Sequence, residues 1–140
     1  MQFSMWLPVF VAFVLLNGEP PTPGSVNAPK DHGVYFVTPQ GGAELKAPVE
    51  VRMGIVGKEI RPAEISVANS GYYCLIINGQ PYPVGVRIPE DDRHIHFSLG
   101  QSQTRLTLPK GTHSLTVQLS SGSRISFGPS WSKTITIKVQ

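Results

Sequence analysis

The stretch Thr104–Leu119, TRLTLPKGTHSLTVQL, alternates apolar and polar residues on both sides of a Pro-Lys-Gly break. Leu106 and Leu108 share one face of the first run, with Arg105 and Thr107 on the other. Pro109, Lys110 and Gly111 then turn the chain, and His113, Leu115, Val117 and Leu119 share a face against Ser114, Thr116 and Gln118. A period of two is the pattern of a strand with one buried face, because successive side chains point to opposite sides of an extended backbone. A helix would instead repeat its apolar positions every three or four residues.

The same pattern recurs outward from this stretch. Val49–Val56, VEVRMGIV, sets Val49, Val51, Met53 and Ile55 against Glu50, Arg52 and Gly54. Val34–Thr38 reads as a strand stopped by Pro39 and the Gly41-Gly42 pair, and Thr134–Val139 closes the chain with Ile135, Ile137 and Val139 inward. Tyr72–Ile77 is the most apolar run, which suits a central strand, and Asn78-Gly79 after it is a tight-turn signal. His94–Ser98 is short and extended. Residues 58–70 read as an irregular connection with a short strand at Glu64–Val67, residues 80–89 as a Pro-rich loop or edge segment, and Arg124–Phe127 as another short strand. About seven strands with frequent turn residues and no helix-period segment after the leader predict an all-β domain. The expected fold is an immunoglobulin-like antiparallel β-sandwich, without the Cys-Trp-Cys signature of antibody domains.

A chain of 140 residues holds one domain plus a short leader. Met5–Leu16, MWLPVFVAFVLL, is an apolar run too short for a bilayer, which takes about 20 residues, and of the length of a signal-peptide core. The expectation is a cleaved export signal and the start of a linker over 1–28, linker over 29–32, and the sandwich over 33–140. Cleavage fits after Gly18 or after Ala28. The mature domain then works in the periplasm or outside the cell, with no stable membrane span. His32 precedes the domain and is expected to be disordered. The leader carries one charged residue, Glu19, so its removal takes the net charge from +3 to +4. The cations are scattered and not interleaved with aromatics, which argues against nucleic-acid binding.

The chemistry-bearing residues are few. His94 and His96 stand at i and i+2 in DDRHIHF, so a strand sets them on one face and gives Ile95 and Phe97 to the other, the core face. Two readings follow. In the first, the two imidazoles bond to the preceding aspartates or to loop carbonyls. In the second, they ligate Cu or Zn with a third donor, Cys74 or else Asp91 or Asp92. Cys74, the only cysteine, lies inside YYCLII and reads first as a buried small hydrophobe, with a metal ligand or an intermolecular disulfide as the alternatives. His113 follows a turn and suits a hydrogen bond to backbone at a sandwich corner. Tyr72, Tyr73, Tyr82 and Trp131 are candidates for an exposed aromatic surface. No nucleophile elbow, phosphate loop or zincin helix is present, so an enzyme is not expected.

Three segments carry a family resemblance: VYFVTPQGGAELKAPVEVRMGIVG (34–57), RHIHFSLGQSQTRLTLPKGTHSLTVQL (93–119) and SKTITIKV (132–139). Together they resemble the bacterial exported domain family DUF4399. The specific part is the core HIHF, GQ-x-x-T, LP-x-GTH-x-L. The resemblance implies a fold and an export route more than a reaction. Members of the family also carry a triple histidine on one strand and a His-x-Pro-His loop. Here Tyr72, Tyr73 and Cys74 stand at the first of these positions and Ser123–Phe127 at the second, so most of that histidine set is absent. The leading functional expectation is an exported, non-enzymatic module that binds a protein or glycan. The alternative is a Cu or Zn domain using His94, His96 and Cys74.

Overall fold

The computed structural model describes residues 27–65 and 67–140, so the leader up to residue 26 lies outside the described residues. Among the described residues nine strands form: β1 (Gly33–Thr38), β2 (Glu44–Leu45), β3 (Val49–Val56), β4 (Glu59–Ile60), β5 (Ser70–Ile77), β6 (His94–His96), β7 (Gln103–Leu106), β8 (Gly111–Ser120) and β9 (Ser132–Val139). A 3-10 turn, Pro129–Trp131, leads into β9. No helix among the described residues is long and apolar enough to cross a membrane.

The strands divide into two sheets. The first has the order β1-β3-β7; the second runs β2-β9-β8-β5, with β4 and β6 also on β5. The long pairings are antiparallel, whereas the two-residue strands β2 and β4 pair in parallel with β9 and β5. The expected all-β sandwich is therefore present, with one antiparallel sheet and one mixed sheet. The two runs of Thr104–Leu119 belong to different sheets: β7 pairs with β3 and β8 with β5 and β9. Pro109-Lys110 thus carries the chain from one layer to the other instead of closing a hairpin. Alternation alone does not distinguish these outcomes, because both give each strand one inward face.

The core fills the space between the sheets. Val34, Phe36, Val49, Val51, Met53 and Leu106 face Tyr73, Leu75, Leu115, Val117, Leu119 and Ile137 across it. β5 is buried on both sides. Tyr73, Leu75 and Ile77 enter the core, while Cys74 and Ile76 pack on the outer face with Ile88 from the loop 78–93. That two-sided burial explains the unbroken apolar run, which a one-sided strand does not need.

Four local expectations change. The short strand of the 58–70 connection is at Glu59–Ile60; Glu64, Ile65 and Val67 are outside any strand. Arg124–Phe127 makes only isolated bridges, Arg87 with Ile125 and Ser120 with Ser126. Asn78 does adopt a left-handed turn conformation, φ 56°, but leads into a long covering loop. His32 is not disordered: its ring packs 5.0 Å from that of Trp131, and Asn27 Nδ2 donates to the Val37 carbonyl at 3.4 Å.

Candidate functional site

β6 lies beside β5 in a register that sets Cys74 opposite His96 and Ile76 opposite His94; β8 on the other side sets Gln118 opposite Cys74. His94 and His96 therefore share the outer face of the second sheet. Phe97 enters the core and Ile95 packs partly buried against it, as the i, i+2 spacing predicts. The loop 78–93 folds back over this face and supplies the histidines' partners.

His94 uses both ring nitrogens. Nδ1 lies 2.7 Å from Asp91 Oδ1 and Nε2 lies 2.9 Å from the Tyr82 hydroxyl. A carboxylate only accepts, so Nδ1–H donates to Asp91 and Nε2 accepts from Tyr82 O–H. The Asp91 carboxyl is held below its usual range, first by the bond to His94 and then by the Arg93 backbone N–H. His96 Nε2 lies 2.7 Å from the Pro89 carbonyl, which fixes the proton on Nε2 and leaves Nδ1 bare. That Nδ1 is buried with no hydrogen-bond partner. The edge of the Tyr72 ring closes over His96 at 5.9 Å between centroids.

Cys74 has no exposed surface, and its Sγ is 3.8 Å from His96 Nε2. Burial, with help from the Asp91 and Glu90 carboxylates, pushes the thiol up to about 12. The sulfur is therefore a neutral thiol near pH 7, not a thiolate.

Gln118, also buried, fastens the loop a second time. Its Oε1 accepts from Tyr82 N–H at 2.7 Å, and its Nε2 lies 3.0 Å from the Tyr82 carbonyl, 2.9 Å from Ser126 Oγ and 3.1 Å from the Gly128 carbonyl. Arg124 pairs with Glu90 at 3.1 Å, and Arg93 donates to the carbonyls of Ile77 and Asn78. The cluster works as a latch that holds a Pro-rich loop on a sheet.

The set His94, His96 and Cys74 does not converge as three donors. His94 is turned toward Asp91 and Tyr82, and only Cys74 and His96 meet. No group of three or more His, Cys, Asp or Glu among the described residues is arranged to hold a metal ion. His113 sits at the corner expected of it, with Nε2 donating to the Pro109 carbonyl at 2.8 Å and Nδ1 accepting from Asn78 Nδ2 at 3.0 Å. The aromatic surface does not form. Tyr72 and Tyr73 are buried, Tyr82 is bonded to His94, and Trp131 packs on His32 and under Lys58 Nζ.

Sequence reasoning missed Tyr82 and Gln118 as members of the latch. Each belongs to a run read by type: Tyr82 to a loop, Gln118 to the polar face of a strand. It also missed the exposed apolar side chains. Leu99, in the loop after β6, is 77% exposed; Val67 and Ile65, in the loop between β4 and β5, are 48% and 43% exposed; Val84 and Val86 stand out on the loop 78–93. The first two of these loops are tied together, with Ala63 N–H donating to the Ser98 carbonyl at 2.8 Å.

Residues 51–140 match the model of a family described as "Domain of unknown function (DUF4399)", and the chain belongs to that family. No curated protein matches the sequence. One similar solved structure is the endo-beta-1,4-mannanase from Thermotoga petrophila, at 16% identity and a TM-score of 0.47. That match covers 79% of this chain and 20% of the mannanase, so the chain spans about a fifth of that enzyme's length.

Proposed function

We propose that this DUF4399 member is an exported, non-catalytic module that binds a protein partner through the loop end of its sandwich. The observation that carries the reading is the trio Ile65, Val67 and Leu99, held outward on two loops that the Ala63–Ser98 bond locks together. Clustered exposed apolar side chains on a compact domain mark contact surfaces, and the loops at one end of a sandwich are a common place for them. The histidine cluster supports the same reading, because its polar groups are engaged in holding the loop 78–93 rather than presented to solvent. Export is supported by the apolar run Met5–Leu16. The test is a photo-crosslinking residue in place of Leu99 in cells that export the protein, with Lys110 replaced as the control. A discrete adduct at 99 that disappears in Ile65→Asp supports the reading. Equal yields at both positions, or none at 99, overturn it.

A second reading, a Cu or Zn site, is favoured by one distance, the 3.8 Å between Cys74 Sγ and His96 Nε2. A thiolate and an imidazole suit such ions. Binding by this pair requires the thiol to lose its proton and His96 to release Pro89. Titration with Cu(I) or Zn(II) against a chelator, with Cys74→Ala as control, decides it; no metal retained at micromolar concentration removes the reading.

A further inference from the structure

Among the described residues, β1 and the first half of β9 border a groove of about 540 Å³ along one side of the seam between the sheets. Tyr35, Phe36, Gln40 and the run 133–136 line it. The backbone of β9 decides what this groove can take. Opposite residues of β8 and β9 alternate between pairs that exchange two backbone bonds and pairs that exchange none. Ser114, opposite Thr136, gives its carbonyl to Asn78 N–H, so Thr136 and, two residues before it, Thr134 direct their backbone groups away from β8. Further along, those outward groups are used: Lys138 N–H donates to the Ala43 carbonyl at 2.9 Å, and the Thr136 carbonyl accepts from Gly42 N–H at 2.7 Å. Before Gly42 the chain forms a turn, with Ala43 N–H donating to the Gln40 carbonyl at 3.2 Å. Thr136 N–H and both backbone groups of Thr134 have no hydrogen-bond partner among the described residues.

We propose that this edge receives an extended, acidic peptide segment of a partner protein as an added strand. The unmet groups are a donor and an acceptor on Thr134 and a donor on Thr136, in strand geometry beside a groove that can admit alternate side chains. An extended backbone is the ligand that satisfies such a row. Charge selects the partner. β9, SKTITIKV, carries Lys133 and Lys138 and no acidic residue, and Lys133 has no ion-pair partner among the described residues. A second copy of this chain on the same edge would bring like charges to one seam, which opposes pairing. An acidic segment removes that repulsion. The site is separate from the loop end, so neither surface depends on the other.

The test is fluorescence anisotropy of the full domain with short capped peptides of alternating Val and Thr. One set ends in Asp, one in Lys, and one carries N-methyl groups on alternate amides. The Asp peptide should bind, and the Lys peptide and one of the two N-methyl registers should bind about tenfold or more weakly. Thr134→Pro removes an outward N–H and the hydroxyl contact to Thr116 but leaves the backbone ladder to β8, because a proline is tolerated where the N–H faces away from the sheet. It should abolish binding while the thermal melt stays cooperative; Thr134→Val, which loses the hydroxyl alone, is its control and should bind as the wild type does. Lys133→Glu, which leaves the backbone intact, should reverse the preference to the Lys peptide. No binding by any peptide, binding unchanged in both Thr134→Pro and Lys133→Glu, or self-association that Thr134→Pro suppresses would each overturn the proposal.

Discussion

Raising the pH should destabilise this protein through Cys74, and the size of the effect follows from where the sulfur sits. The thiol is fully buried, and burial moves its titration from 9.0 to about 12. In the unfolded chain the thiol ionises above 9.0; in the folded chain it stays neutral until about 12. Between those values unfolding releases a proton, so stability falls as pH rises. It is undiminished below 9.0 and fully reduced above about 12. One pH unit is worth about 1.4 kcal/mol, so three give a ceiling of about 4 kcal/mol, much of the 5–15 kcal/mol of a typical domain. Burial also raises the hydroxyls of Tyr72 and Tyr73 from 10.0, so the window from 9 to 10 isolates the thiol. The assay is urea unfolding at pH steps from 7.5 to 11, wild type against Cys74→Ala. Cys74→Ala costs a small cavity at every pH. The wild-type curve should descend toward it by about 1 kcal/mol between pH 9 and 10, and at about 1.4 kcal/mol per pH unit above that. Two curves that stay parallel across that window would refute the reasoning. So would alkylation of the folded protein at pH 8 at the rate of an unfolded cysteine.

Three further outcomes test the latch. Tyr82→Phe removes the donor to His94 Nε2 and should cost about 1 kcal/mol, with faster amide exchange in the loop 78–93 and unchanged exchange in β8. Asp91 is held low by His94, so it contributes stability above the ordinary carboxylate range that is lost as pH falls through its lowered value; Asp91→Asn should flatten the acid limb of a urea-midpoint profile between pH 5 and 2. Gln118→Leu leaves the Tyr82 N–H and carbonyl, Ser126 Oγ and the Gly128 carbonyl without their shared partner and should cost about 2–4 kcal/mol. A loss in Gln118→Leu no larger than that of Tyr82→Phe, measured by the same urea titration, would show that the histidine rather than the glutamine holds the loop.

Much of the architecture was legible because burial on one face leaves a period-two record. β3, β7, β8 and β9 carry it in their sequences, while β1 and β5 announce two-sided burial by unbroken apolar runs. The sheet assignment of β7 and β8 was not legible, because an inward face looks the same from either layer. β2 and β4 are two residues long and leave no periodic record. The histidine face was readable from spacing, and so was the general form of its bonding, to an aspartate and to a loop carbonyl. The particular partners were not: Tyr82 lies 12 residues from His94 and Pro89 seven from His96, in a loop whose path depends on Gln118.

The spacing of His94 and His96 also explains why they make a latch instead of a joint site. Neighbours at i and i+2 on a strand stand side by side, and each imidazole must satisfy its nitrogens within its own reach. Their cross-strand partners differ, Ile76 for His94 and Cys74 for His96. Ile76 offers no polar atom, so His94 turns to the loop on both sides, to Asp91 and Tyr82. Cys74 offers a neutral sulfur at 3.8 Å, too weak a partner to compete with the Pro89 carbonyl at 2.7 Å. The carbonyl takes the Nε2 proton, and Nδ1 is left buried and unmet. A buried acceptor without a partner costs about 1–3 kcal/mol. The strain in this cluster therefore sits at His96 Nδ1, not at the His94–Asp91 pair. His96→Phe keeps a ring under the edge of Tyr72 and removes both the orphaned nitrogen and the bond to Pro89. Its cost in urea unfolding should be smaller than that of His94→Phe, which strands Asp91 and the Tyr82 hydroxyl. The opposite order would show that the Pro89 bond outweighs the unmet nitrogen.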